Sequence, residues 1–309
     1  MPPSPSSRHD RRIRVCLLEA HTTGLFFGAD HAFWITERSR LCTAVVNAEP
    51  DTADVVWVYS QDPLEPAVRD RLDEVLDGVP PATPVLNRPE HYDAYHRDDA
   101  FPRLAAAGVS VPRHEFGPSD VGRTRVVYKR QWDQGSDKFA GPYRGRIPGF
   151  RAFELEDGRG ADGLARRYRA WHLAGQSHPE QVILAEGWNA TLGSIVGVER
   201  TFELTDHERD QIGLLARTLG LDFFAVDYLR RHEDGAPVFV DVTVYPTPTE
   251  AYTVGLAGTG TFHIWDSGSR AGLPPAHGVD AWTVFDRAMA ALVAREETGR
   301  DPRAAALVP

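Results

Sequence analysis

The sequence predicts a mixed α/β and α+β chain in three parts, a Rossmann-like N-terminal domain followed by two α+β subdomains. Three observations carry this. Apolar strand-like runs alternate with helical patterns as far as Leu86. A second alternation of short strands and helices follows Asn87, and a capped helix followed by a β-hairpin signal makes up the third part. A chain of 309 residues is long enough for more than one core.

Met1 to Arg12, MPPSPSSRHDRR, is a Pro/Ser/Arg tail expected to be disordered. Order is expected from the apolar run Val15 to Leu18. A helix near Ala29 to Arg38 follows, then the strands CTAVV and VVWVYS, a helix from Glu65 to Leu76, and a short strand at Val85 and Leu86. This unit spans 13–90, and it lacks the G-x-G-x-x-G turn of a dinucleotide site. The central unit, 91–185, is expected to hold a helix from Asp98 to Ala107, the strand RVVYK and a long loop carrying Gly135, Gly141, Gly145 and Gly149. A helix over Asp162 to Ala174 and the strand VILAEGW complete it. In the third unit, 186–300, Thr205 and Glu208 form a capping box. The helix they open stops at Gly220, and FFAVDYL and VFVDVTVYP flank an Asp234-Gly235 turn.

A formal net charge of -10 argues against a nucleic-acid backbone or an anionic membrane as the main partner. No apolar run reaches the roughly 20 residues of a membrane span, and the N-terminus lacks a signal-peptide core, so a cytoplasmic location is expected. Cys16 and Cys42 sit in apolar runs without ligand spacing. The histidines show no metal-ligand grouping, and there is no G-x-S-x-G nucleophile elbow.

Only two of the 34 basic Lys and Arg residues are lysines, Lys129 and Lys138, and they lie within one short stretch. Where arginine is the default cation, a retained lysine suits a task for a compact ammonium on a flexible stem, such as reaching a phosphate. In the last hairpin, period-two alternation puts Phe239, Asp241 and Thr243 on one face, and centring the turn brings Asp227 opposite Asp241. Two arrangements fit this spacing. The pair can lie on a solvated face, or a cation can sit between the carboxylates, and Mg²⁺ suits such hard oxygen ligands.

From Asn87 to about Glu250 the order of features resembles the ATP-grasp superfamily: NRPEHYDAYHRDDAFPRLAAAGVSVPR, the strand VVYK, VILAEGW, the capped helix, GLDFFAVDYL and VFVDVTVYP. The resemblance implies that two α+β subdomains clamp ATP after a Rossmann-like domain, with ATP and Mg²⁺ as cofactors. Lys129 would reach the phosphates and the adenine edge, the loop with Gly135 and Gly141 would cover the triphosphate, and Lys138 is a further cation for the transferring phosphoryl group. Ala185 to Trp188, including Glu186 and Gly187, would form the adenine-reading hinge, with Asn189 after it. Asp227 and Asp241 would be metal carboxylates, and Thr243 stands where the family commonly has an asparagine ligand. The helix at Asp98 lacks a lysine often found there, whose place Arg97, Arg103 or nothing would take.

Most such proteins phosphorylate a carboxylate and let an amine displace the phosphate, which requires cations around the transferring group. Arg144, Arg146, Arg151 and Arg200 are candidates for holding the substrate carboxylate or acyl phosphate. The expected partners are small-molecule carboxylate and amine substrates, with the oligomeric state, possibly a homodimer, left open. Three classes remain: a carboxylate-amine ligase, a small-molecule kinase on the same fold, and a nucleotide-binding module without turnover.

Overall fold

The computed structural model describes residues 11–20, 28–60, 63–131, 137–188, 194–199, 202–244, 251–252, 262–263 and 281–298. Of the expected tail, residues 1–10 lie outside these. Arg11 and Arg12 belong to the fold, Arg11 pairing with Asp54 at 2.9 Å and Arg12 donating to the carbonyls of Thr36 and Ser39.

The N-terminal unit is a parallel sheet in the order β2 (Cys42–Val46), β1 (Ile13–Leu18), β3 (Val55–Val58), β4 (Val85–Leu86). Its strands are nearly continuous apolar runs because both faces are covered. One face packs on α2 (Pro66–Leu76) through Val68 and Leu72, the other on α1 (Gly28–Arg38) through Ala32 and Ile35. The last helix, α6 (Ala281–Thr298 in full; α3 to α5 follow), also packs here. Its Phe285 and Met289 share a core with Leu17, Trp57 and Phe223, and the Asp286 carboxylate accepts from the Ser39 hydroxyl and the Arg40 N–H.

At the end of β4, Asn87 adopts φ 55°, a conformation asparagine tolerates better than most residues. Its side-chain Oδ1 accepts from the N–H groups of Asp222 (3.0 Å) and Phe223 (2.9 Å), and its Nδ2 donates to the Phe223 carbonyl at 2.7 Å. The fully buried amide thus ties the parallel sheet to the third unit. After α3 (Pro89–Tyr92) and α4 (Ala100–Ala106) comes a small antiparallel sheet, ordered β6 (Lys138–Pro142), β5 (Arg125–Arg130), β7 (Phe150–Glu154). The long glycine-bearing loop is therefore shorter than expected. Lys138 and Gly141 lie on β6, where Gly141 pairs with Val126.

The large antiparallel sheet runs β10 (Ile195–Glu199), β9 (Gln176–Ala185), β8 (Ala165–Leu173), β11 (Phe223–Arg230), β12 (Pro237–Thr243). The helix expected over Asp162 to Ala174 is instead the central strand β8. Arginine and alanine there suggest a helix, but the stretch pairs with both β9 and β11, and a two-residue Ala174-Gly175 turn with φ 46° and 92° closes the β8–β9 hairpin. Strand β10 had no counterpart in the sequence reading.

Helix α5 (Asp206–Leu219) has the expected capping box. Thr205 Oγ1 accepts from the Glu208 N–H and the Glu208 carboxylate from the Thr205 N–H, and Gly220 ends the helix at φ 73°. The helix lays Ile212, Leu215 and Leu219 on the large sheet. Asp227 and Asp241 are direct cross-strand partners, but the strict alternation on β12 fails at one place. A bulge at Val240 reverses the faces below it, so Phe239 joins Val242, Val244 and Tyr228 in the core, away from Asp241.

Candidate functional site

Between the small and large sheets lies a cleft of about 810 Å³, counting its open mouth. Val127 and Phe153 form one apolar wall, and Leu229 and Val240 line it from the large sheet. Lys129, Lys138, Asp227 and Asp241 supply its charged end. Such a combination of apolar walls and a few convergent polar groups is the usual make-up of a ligand pocket.

The charged end follows from strand register. On the small sheet Lys129 of β5 is the direct partner of Lys138 on β6 and of Arg151 on β7, so three cations stand in a row on one face. Like charges placed opposite one another oppose sheet formation. The nearest compensation is Asp241, whose Oδ1 accepts from Lys129 Nζ at 2.5 Å, while the ammonium lies 5.0 Å from the Tyr95 ring centre. Burial disfavours the charged Asp241, but Lys129 and Lys138 outweigh it and hold the carboxyl below its usual range. Burial likewise opposes the Lys129 charge, yet Asp241 and Tyr95 raise its pKa overall. For Lys138 burial prevails, helped by Arg167 and Lys129 and opposed by Asp241, and its pKa falls.

Asp227 is held from the neighbouring strand β8. Arg169 Nη1 donates to it at 3.1 Å, and Arg167 Nε stands 3.6 Å from its other oxygen. Arg169 is itself buried and also reaches Glu180 at 3.2 Å. Each acid thus has its own cationic side-chain partners, Lys129 for Asp241 and the two arginines for Asp227. Arg167 and Arg169 were missed because their segment read as a helix. Read as a strand, the R-x-R spacing puts both on one face.

Among the described residues no group of three or more His, Cys, Asp and Glu side chains could hold a metal. Mg²⁺ does not require one, because it commonly takes one or two carboxylates and fills its octahedron with water and phosphate oxygens. The hard oxygens of Asp227 and Asp241, cross-strand partners that line the cleft with Lys129 and Lys138, fit that demand. Thr243 lies next along β12, opposite Ala225.

Other expected site residues are placed differently. The hinge read at Ala185 to Trp188 is the β9–β10 turn of the large sheet, where Glu186 is exposed and its N–H donates to the Ser194 carbonyl at 2.9 Å. Of that stretch only Trp188, and not Glu186 or Gly187, lines the cleft. The chain passes from the small sheet to the large one after β7 instead, and Glu154, Leu155 and Glu156 line the cleft there. Taking β8 for a helix placed the passage between the two sheets one hairpin too late in the sequence. Burial raises the Glu156 pKa. Arg144 and Arg146 are exposed between β6 and β7 and do not line the cleft. The Arg144 N–H donates to the Tyr128 hydroxyl at 2.7 Å. Gly135, Asn189 and Arg200 lie outside the described residues.

No protein-family model matches the chain, and no curated protein matches its sequence. Solved structures do match its fold. The ATP-grasp ligase PsnB complexed with minimal precursor superposes with a TM-score of 0.56 at 15% identity, over 91% of this chain and 99% of that one. D-alanine–D-alanine ligase from Bacillus anthracis complexed with ATP gives 0.55 at 12% identity, over 93% and 100%. The macrocyclase MdnC from Microcystis aeruginosa, bound with precursor peptide MdnA, gives 0.50 at 10% identity, over 75% and 92%.

Proposed function

The chain has the ATP-grasp fold, and from that premise we propose that it is an ATP-dependent ligase that joins a carboxylate to an amine-type nucleophile. The observation that carries this reading is the meeting of the cross-strand pair Lys129 and Lys138 with the Asp227–Asp241 pair in one cleft. When bound, ATP with Mg²⁺ supplies the phosphoryl group and the divalent charge.

The residues divide the work. Val127, Phe153, Leu229 and Val240 offer apolar surfaces to a flat base, and Glu154, Leu155 and Glu156 line the same cleft. Lys129 and Lys138 neutralise phosphate oxygens as charge builds on the transferring group. Asp227 and Asp241 would hold the metal, with Arg167 and Arg169 orienting the Asp227 carboxylate. A substrate carboxylate oxygen attacks the γ-phosphorus and ADP leaves. The nucleophile then attacks the acyl carbon, and the C–O bond to phosphate breaks, releasing phosphate with one oxygen from the carboxylate.

An amino acid is one source of the carboxylate. A peptide is the second reading, favoured by the likeness to PsnB and MdnC, both solved with precursor peptides. The test is ¹⁸O transfer: with ¹⁸O-labelled carboxylates and a panel of amines and peptides, label is expected in the released phosphate. ADP formation with phosphate retained on a hydroxyl product would make the protein a kinase, and ATP binding without ADP formation would leave a binding module.

A further inference from the structure

Arg151 stands apart from the chain's other arginines. It is the direct partner of Lys129 on the neighbouring strand, so its side chain leaves the small sheet on the same face as both lysines. It lines a second hollow with Tyr95, and this hollow shares Lys129 and Phe153 with the lining of the main cleft. Its contacts are the His96 carbonyl and, at 3.2 Å, Asp98, whose side chain is 82% exposed and so neutralises little. The Arg151 Nε is buried without a hydrogen-bond partner, and a buried donor left unmade is costly. Burial also lowers the guanidinium pKa, against the pull of Asp98.

The segment that Arg151 reaches, His96 to Asp98, leads into α4, the helix that lacks the family's lysine. The two arginines considered for that place are engaged elsewhere, Arg97 with the Glu90 carbonyl and Arg103 with the Thr218 carbonyl at 2.6 Å. We propose that Arg151 is a third polyphosphate contact, extending the Lys138–Lys129 pair into a three-cation rail and supplying from β7 the charge that α4 does not carry. The proposal rests on the nucleotide reading of the cleft. A planar guanidinium at the end of the rail grips two oxygens at once, and its idle Nε–H is one of the donors for them.

Calorimetry on the full chain, with ATP, ADP and adenosine titrated in Mg²⁺ buffer at low salt, tests it. Arg151→Gln is expected to weaken ATP and ADP by about tenfold or more, as for loss of a charge-assisted hydrogen bond, with adenosine unchanged. Arg151→Lys should recover part of the loss, and Arg97→Gln should bind as wild type. Asp98→Asn weakens the ionic part of the tether to the α4 segment, leaving the His96 carbonyl contact, and deletes a competing negative charge, so it should bind ATP as well as wild type or better. Equal losses in Arg151→Gln and Asp98→Asn would overturn the proposal, because Arg151 would then only tether the segment. Wild-type affinity in Arg151→Gln beside a loss in Lys129→Ala would overturn it and leave the nucleotide reading standing. Wild-type protein that binds neither ATP nor ADP would sink both. Melting curves check that each variant is folded, and Arg151→Lys carries the comparison if Arg151→Gln is not.

Discussion

Asp241→Asn separates two accounts of the paired acids. If Asp227 and Asp241 chiefly repel each other, removing one charge stabilises the ligand-free protein. The structure favours the opposite sign, because Asp241 is the counter-charge for Lys129 and the nearest relief for Lys138. The side chains of Lys129 and Asp241 are 13% and 22% exposed. Breaking a fully buried pair costs about 3–5 kcal/mol, and discounting for partial exposure leaves about 1–3 kcal/mol here. At about 2 °C per kcal/mol for a chain of this length, the melting temperature should fall by about 2–6 °C. The pH dependence has a definite sign. The Asp241 pKa is depressed, so its contribution is present above the unfolded value of about 3.9 and lost as pH falls through the folded one. The Lys129 pKa is raised, so its contribution is present below about 10.4 and lost at higher pH. The gap between wild type and Asp241→Asn should therefore be flat from about pH 5 to 9 and narrow as pH falls below about 3.9. Melts by circular dichroism at pH 7 and pH 3.5 measure it. An equal or higher melting temperature for Asp241→Asn at pH 7 would refute the ion-pair argument.

Lys129→Ala should weaken ATP binding about ten- to a hundredfold with incomplete rescue by Lys129→Arg, and calorimetry on folded protein gives the answer. Thr243→Asn should tighten the Mg²⁺ dependence of turnover by adding an amide oxygen beside Asp241, read from initial rates against Mg²⁺ concentration. Gly220→Ala should cost about 1–2 kcal/mol in urea titration, because φ is 73° and a Cβ would meet the His91 ring at 2.8 Å.

The third unit was legible because its signals are local. The T-x-x-E box, the Gly220 stop and the Asp-Gly turn each act within a few residues, and the Asp227–Asp241 pairing followed from counting out of the turn. Strand β8 was hidden by composition. Its arginines suit a helix as well as a strand, and its hairpin turns on Ala174, a residue that rarely takes positive φ and so gives no turn signal. The bulge at Val240 is invisible for a related reason, since one residue without a partner is a property of the pair of strands. Arg151 was one of four arginines considered for the substrate carboxylate or acyl phosphate, and nothing in the sequence set it apart from the other three. Its position beside Lys129 depends on the register between β5 and β7, which no spacing within either strand encodes.

The contacts of Asn87 and Asp286 bear on how the chain is made. The parallel sheet is complete by Leu86, but the side-chain bonds of Asn87 wait for residues 135 and 136 positions later, and Ser39 meets Asp286 across 247 positions. While the ribosome is still producing the middle of the protein, Leu17 and Trp57 have neither Phe223 nor Phe285 to cover them. Contacts this distant in sequence close slowly and leave apolar surface exposed in the interval. The N-terminal unit is thus the first synthesised and among the last finished, and a chain ending at Val244 would leave open to any neighbour the part of its core that Phe285 and Met289 cover.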